Sequence, residues 1–145
     1  MSGISFDVKL SRSHDLTSED GCRSLLRYLM RLFTNGVAIA APPCSLYSCA
    51  CASVHKRTKE NVRGDLGNWK VRLARVIWTN WVTCMKILHS LRPDVWLICE
   101  QPSTSWGFCQ PEFVQLAELM GMFLTFKYIQ FIYHLDQLIN LYQFI

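Results

Sequence analysis

The sequence lacks the glycine pattern that opens many nucleotide-binding sites. No two of its seven glycines form a G-x-G pair, and none opens a helix after a first strand. This excludes a glycine-rich loop whose backbone amides cradle a phosphate or dinucleotide at a helix N-terminus. The first 20 residues contain no apolar stretch, and on that ground we expect no secretory signal peptide.

Charge and cross-links are also scarce. Only 18% of the 145 residues are charged, and the net charge of +4 permits binding to a polyanion without requiring it. The seven cysteines are an odd number, which argues against a disulfide framework and favours a reducing intracellular compartment, nuclear or cytoplasmic. Half of the residues are hydrophobic, so the length and composition predict one globular domain with a real core.

Short apolar runs alternate with helical patterns along the chain. Such alternation predicts an α/β fold, with a parallel sheet and crossover helices. The strands are continuously apolar, which favours a sheet covered on both faces. In chain order, the predicted elements are a strand over Gly3 to Val8, a helix containing Leu25, Leu26, Leu29 and Leu32, a strand over Val37 to Ala41, a basic loop over Ser45 to Asn68 with a short helix, a helix over Trp69 to Leu91, a strand over Val95 to Cys99, and a helix opened by Pro111.

The helix over Trp69 to Leu91 has the clearest periodicity. Its apolar residues recur at helical spacing and predict one buried face. This predicted face consists of Leu73, Val76, Ile77, Trp81, Met85 and Leu88.

Two of the predicted strands end in groups that can do chemistry. Pro42-Pro43-Cys44 follows the strand over Val37 to Ala41, and Glu100-Gln101-Pro102 follows the strand over Val95 to Cys99. Open α/β sheets bind ligands outside the carboxyl ends of their strands. The sequence therefore predicts a site at this edge, with the thiol of Cys44 and the carboxylate of Glu100.

The two motifs resemble those of the cytosine-5 DNA methyltransferases. The similarity extends over about Asp15 to Ser105, which is 91 of the 145 residues. The chain departs from the family at Ser45, where Gln is usual, at Gln101, where Asn is usual, in a longer spacing between the motifs, and in the missing glycine-rich motif. The resemblance implies a partial, Rossmann-like methyltransferase domain over residues 1–118.

The resemblance also assigns roles to individual residues. Cys44 matches the nucleophile that adds to carbon 6 of cytosine, and Glu100 matches the acid that holds ring nitrogen 3. S-adenosylmethionine is the implied cofactor, with Asp15, Asp7 and Pro42 as the candidate cofactor-binding residues. For each of these residues a structural role remains an alternative: a buried thiol for Cys44, a strand-end carboxylate for Glu100, and turn or cap roles for the two aspartates.

A basic stretch follows the cysteine motif and could contact a phosphate backbone. We predict DNA contacts from Lys56, Arg57, Lys59 and Arg63, with a solvated loop as the alternative. Glu60-Asn61-Val62 spells the acid motif of the family, but no apolar strand precedes it.

A metal site is the other interpretation of this stretch. Cys44, Cys49, Cys51 and His55 have C-x4-C-x-C-x3-H spacing. The C-x-C step is awkward for tetrahedral closure around zinc, and we predict no metal.

The stretch from Leu119 to Ile145 is very apolar, with a narrow polar stripe. We predict an apolar helical extension that serves as a core or interface helix and favours self-association. The polar interruptions make it a poor membrane span. The stripe consists of Lys127, Gln130, His134, Gln137 and Asn140.

Three hypotheses about function follow. The first is a partial cytosine-5 methyltransferase-like domain. The second is a non-catalytic α/β module that binds nucleic acid or protein. The third is a membrane-peripheral protein anchored through residues 119–145.

Overall fold

The structure is a computed structural model that describes residues 5–102, 104–125 and 129–132. Helices and strands alternate along the chain, as the sequence predicts. The helices are α1 (Glu19–Leu29), α2 (Ala52–His55), α3 (Trp69–Leu91) and α4 (Pro111–Leu119), and the strands are β1 (Val37–Ala40), β2 (Trp96–Gln101), β3 (Phe123–Thr125) and β4 (Ile129–Ile132).

Local signals set the ends of the main helices. The hydroxyl of Ser18 accepts a hydrogen bond from the Gly21 amide at 3.0 Å and caps α1. The side chain of Asn68 accepts one from the Lys70 amide at 3.0 Å and caps α3. Such caps satisfy amides that have no partner within the helix. The predicted bounds of α3 and the start of α4 at Pro111 are confirmed.

The four strands form one mixed sheet in the order β1-β2-β4-β3. β1 and β2 are parallel, with Ala40 opposite Cys99. β4 runs antiparallel to both β2 and β3. The parallel pair, joined through α3, agrees with the α/β class. The reversed strand, β4, lies inside the sheet between β2 and β3, so the sheet is mixed and not purely parallel.

The core lies on one face of this sheet. Side chains alternate along β2, so that Leu97, Cys99 and Gln101 are buried while Glu100 is exposed. The opposite face of β1 leaves Val37 and Ile39 exposed to solvent. The expectation of a sheet covered on both faces is therefore wrong for the part of the chain that the structure describes. The core side chains include Leu25 and Leu29 from α1, Trp78, Trp81, Val82, Met85 and Leu88 from α3, and Phe113 and Leu116 from α4.

Two predicted elements are wrong within the described residues. Residues 5–10 contain a turn in which the Leu10 amide donates to the Asp7 carbonyl at 2.9 Å, and none of them belongs to a strand.

The predicted helix over 119–145 is also wrong for the part of this stretch that the structure describes. α4 ends at Leu119, Gly121 follows with φ of 59°, and residues 123–125 and 129–132 are strands. Pairing with β2, which is distant in sequence, outweighs the local pattern. Residues 133–145 of the predicted extension lie outside the described residues.

The buried face of α3 is rotated from the predicted one. Trp81, Met85 and Leu88 are buried as expected, but Leu73 and Val76 are 42% and 43% exposed. Within the residues described, none of the helices has the length and hydropathy needed to span a bilayer.

Candidate functional site

The parallel pairing of β1 and β2 brings the two sequence motifs to one edge of the sheet. Because Ala40 lies opposite Cys99, the Pro42-Pro43-Cys44 segment that follows β1 lies beside Glu100 and Gln101, the last two residues of β2. This is the carboxyl-terminal edge at which α/β sheets place ligands.

A buried glutamine at the end of β2 ties the two motifs together. The amide nitrogen of Gln101 donates a hydrogen bond to the carbonyl oxygen of Pro42. Its amide oxygen accepts from the Ser105 hydroxyl at 3.0 Å, and that hydroxyl oxygen accepts from the Gly107 amide at 3.1 Å. Gln101 is 4% exposed. The amide nitrogen therefore links the two motifs, while the amide oxygen ties Gln101 to the loop that follows β2.

The turn that carries Cys44 is anchored to the core through Tyr47. The carbonyl oxygen of Cys44 accepts from the amides of Tyr47 at 2.8 Å and Ser48 at 2.9 Å. The Tyr47 carbonyl accepts from the Trp106 amide at 2.8 Å, and the Tyr47 ring packs 5.0 Å from the ring of Trp78. Burial raises the pKa of Tyr47 to about 12, so its hydroxyl stays protonated at neutral pH.

The candidate nucleophile and acid differ in burial. Cys44 is half-buried and Glu100 is exposed. Glu100 points away from the face that buries Cys99 and Gln101, as the period of two along a strand requires. Cys44 is thus less buried than Cys84 and Cys99, which both lie in the core.

Two other thiols are poorly suited to act as nucleophiles. Burial raises the pKa of the Cys99 thiol. Burial, together with the neighbouring Cys22, raises the pKa of Cys84 to about 12. Because the thiolate is the reactive form, both groups are inert at neutral pH.

A pocket of about 270 Å³ lies next to the proline turn. All three candidate cofactor-binding residues, Asp7, Asp15 and Pro42, line it. Neither Cys44 nor Glu100 lines this pocket. The remaining walls are largely apolar and include Phe6, Val8, Leu16, Leu25, Ile39, Ile77 and Trp81.

The two aspartates are held in place by the segment between them. The Asp15 carboxylate accepts from the amide and hydroxyl of Thr17 at 2.9 and 2.8 Å, and these hydrogen bonds lower its pKa. Asp7 is linked through its backbone to Nδ1 of His14, whose ring stacks on Phe6 at 4.2 Å. Asp15 thus has the predicted turn role, and the residue also lines the pocket.

Arg57 differs from the other predicted DNA contacts. It is 4% exposed, and its guanidinium donates to the carbonyls of Leu46, Val62 and Arg63 at 3.3, 2.8 and 2.5 Å. It also lies 4.2 Å above the Tyr47 ring. The guanidinium of Arg57 is buried and bound within the loop, so the predicted surface contact with DNA is corrected to a structural role for this residue. Burial lowers the pKa of Arg57.

The remaining predicted DNA contacts lie at the surface of the same loop. Lys59 and Arg63 are exposed. Lys56 is also exposed and pairs with Asp65 at 2.9 Å. These three cations can face a polyanion without losing any contact in the core.

The cysteine and histidine cluster of the sequence is not arranged around a metal. His55 accepts from the Arg57 amide at Nδ1, 2.9 Å away, so Nε2 carries the proton that it donates to the Ser48 carbonyl at 2.9 Å. Among the described residues, no three His, Cys, Asp or Glu side chains are grouped closely enough to hold an ion.

Sequence reasoning missed the residues that hold the site together. Gln101 was noted only as a departure from Asn, and Tyr47 and Ser105 were not assigned a role. The alternation of side chains along β2 could have predicted the burial of Gln101, because it places Gln101 on the same face as Leu97 and Cys99. A polar side chain at such a position must find hydrogen-bond partners.

Comparisons with protein families, with curated proteins and with solved structures found no match to this chain.

Proposed function

We propose that the chain carries the nucleophile and acid segments of a cytosine-5 DNA methyltransferase-like site, in one part of a Rossmann-like sheet. The observation that carries the proposal is the hydrogen bond from Gln101 to the Pro42 carbonyl. It joins the two segments that resemble the family motifs, at the carboxyl ends of adjacent parallel strands.

The neighbouring pocket supports a cofactor of the S-adenosylmethionine type. Its volume of about 270 Å³ lies just below the lower end of the range for small-molecule sites, roughly 300 Å³. The carboxylates of Asp7 and Asp15 suit the hydroxyl, amino and sulfonium groups of such a ligand, and the apolar walls suit a planar ring. S-adenosylmethionine, when bound, supplies an electrophilic methyl group.

The chemistry of the protein side chains follows from their types. The Cys44 thiolate forms a bond to carbon 6 of the cytosine ring, and Glu100 donates a proton to ring nitrogen 3. The displaced electron pair makes carbon 5 nucleophilic toward the methyl group. Loss of the carbon-5 proton to a base then restores the ring double bond as the sulfur leaves, and ring nitrogen 3 returns its proton to Glu100.

A nucleic acid would approach from the surface that carries Cys44. Reaching a base within a duplex requires that it leave the stack, which costs a few kcal/mol. Contacts from Lys56, Lys59 and Arg63 to phosphates offset part of this cost.

Covalent trapping tests the proposal. The full chain is incubated with S-adenosylmethionine and an oligonucleotide that contains 5-fluorocytosine, and the products are separated under denaturing conditions. Fluorine at carbon 5 cannot be removed as a proton, so the bond to sulfur persists. We expect a protein–DNA adduct whose cross-linked peptide contains Cys44.

Two variants make the result specific. Cys44→Ala should abolish the adduct, whereas Cys49→Ala, which removes an exposed thiol in the same loop, should retain it. Oligonucleotide binding without an adduct in the wild-type chain would overturn the catalytic proposal and favour a non-catalytic nucleic-acid-binding module.

A further inference from the structure

The N-terminal half of α3 exposes an apolar stripe. Trp69, Leu73 and Val76 are 61%, 42% and 43% exposed. Their spacing of four and three residues places them on one side of the helix. We call these three residues the exposed stripe.

The exposed stripe belongs to a firmly packed helix. The other side of α3 buries Val71 and Trp78 almost completely, at 0% and 1% exposure. The helix is also capped at its first turn by Asn68. The orientation of α3 is therefore fixed by its core side, and the exposed stripe is left for another surface.

The surroundings of the exposed stripe carry positive charge. α3 contains four cations, namely Lys70, Arg72, Arg75 and Lys86, and no aspartate or glutamate in its 23 residues. Lys70 and Arg72 are exposed, and the Lys70 ammonium lies 5.8 Å from the centre of the Trp69 ring. Arg72 is held in position by hydrogen bonds to the carbonyls of Leu66 and Gly67 at 2.8 and 3.0 Å.

We propose that the exposed stripe is the docking surface for an acidic amphipathic helix of a partner protein. Apolar side chains at positions i, i+3, i+4 and i+7 of such a helix would cover Trp69, Leu73 and Val76. Acidic side chains at its margins would face Lys70 and Arg72. These charge pairs would fix the alignment of the partner helix along α3 and would disfavour partners with basic side chains. The two aliphatic residues favour a peptide over a nucleic acid, because they offer no surface on which a base stacks.

Fluorescence anisotropy with a labelled synthetic helix tests this inference. The probe is a peptide of about 14 residues, with leucine at helical spacing and glutamate at the outer positions. We expect saturable binding to the full chain. A scrambled peptide of the same composition and a version with lysine in place of glutamate should both bind at least about tenfold more weakly.

Matched variants locate the contact. Leu73→Gln and Trp69→Gln should each weaken binding by at least about fivefold. Leu91→Gln changes a residue that is 61% exposed at the other end of α3 and should have no effect. Circular dichroism melts establish that all three variants stay folded.

Three outcomes would overturn the inference. One is equal affinity of Leu73→Gln, Leu91→Gln and the wild-type chain for the peptide. Another is equal binding of the ordered and scrambled peptides, since charge alone would then explain it. The third is no peptide binding together with binding of a single-stranded oligonucleotide that Trp69→Gln weakens, which would assign the surface to nucleic acid.

Discussion

Replacing Gln101 by leucine should break the link between the two motifs of the candidate site. The side chain is buried, donates to the Pro42 carbonyl and accepts from the Ser105 hydroxyl. Leucine has a similar volume but neither polar group. The substitution leaves a buried carbonyl without a donor and a buried hydroxyl without an acceptor.

The magnitude follows from those two lost partners. Each buried polar group left unpaired costs roughly 1–3 kcal/mol, and local relaxation recovers part of it. We therefore expect the free energy of unfolding to fall by about 3 kcal/mol. For a chain of this size that corresponds to a decrease in Tm of roughly 10 °C.

Urea unfolding followed by tryptophan fluorescence measures this change. Gln115→Leu is the matched control, because Gln115 is exposed on α4 and its side chain accepts only from the Lys86 ammonium among the described contacts. We expect the control to stay within about 0.5 kcal/mol of the wild type. A Gln101→Leu variant as stable as the control would refute the inference that this glutamine couples the two strand ends.

Three further predictions address other parts of the fold. Gly107→Ala places a Cβ 2.6 Å from the buried ring of Trp78 and should cost about 1–3 kcal/mol in urea unfolding; an unchanged midpoint would show that no close contact exists. The Arg92 side chain, through two hydrogen bonds, lowers the pKa of Asp94 from 3.8 to about 2. Asp94 therefore stabilises the fold above pH ~4, and this contribution is lost as the pH falls toward ~2. The stability difference between wild type and Asp94→Asn should shrink over that interval, and a constant difference would contradict the pairing. Arg57→Lys removes a guanidinium that binds three backbone carbonyls and should lower the free energy of unfolding by about 2–3 kcal/mol. An unchanged free energy of unfolding would show that Arg57 behaves as a surface residue.

Local signals predicted the elements whose ends are marked in the sequence. Asn68 caps α3, Pro111 begins α4, and the prolines at 42 and 43 follow β1. Hydrogen-bonding side chains and proline act within a few residues, so the sequence alone reveals them. The meeting of the two motifs at one edge was predicted from strand direction, and the register of β1 and β2 supports it.

Elements that depend on distant partners were predicted poorly. Residues 123–132 were expected to be helical, yet β4 pairs with β2 about 30 positions earlier. The burial of Arg57 depends on carbonyls at residues 46, 62 and 63, which only a folded loop brings together. The exposure of Leu73 likewise reflects which side of α3 meets the core. Periodicity gives the width of an apolar face but leaves its orientation to tertiary packing.

The most direct test of the account is a calorimetric titration of the full chain with S-adenosylmethionine. Asp7, Asp15 and Pro42 line one pocket, and Ala41 is an exposed residue in the same lining. We predict saturable binding at one site in the wild type, and its loss in Ala41→Phe, which fills the pocket while removing no side-chain hydrogen bond. A wild-type chain that releases no heat of binding, or an Ala41→Phe variant that binds equally well, would contradict the account.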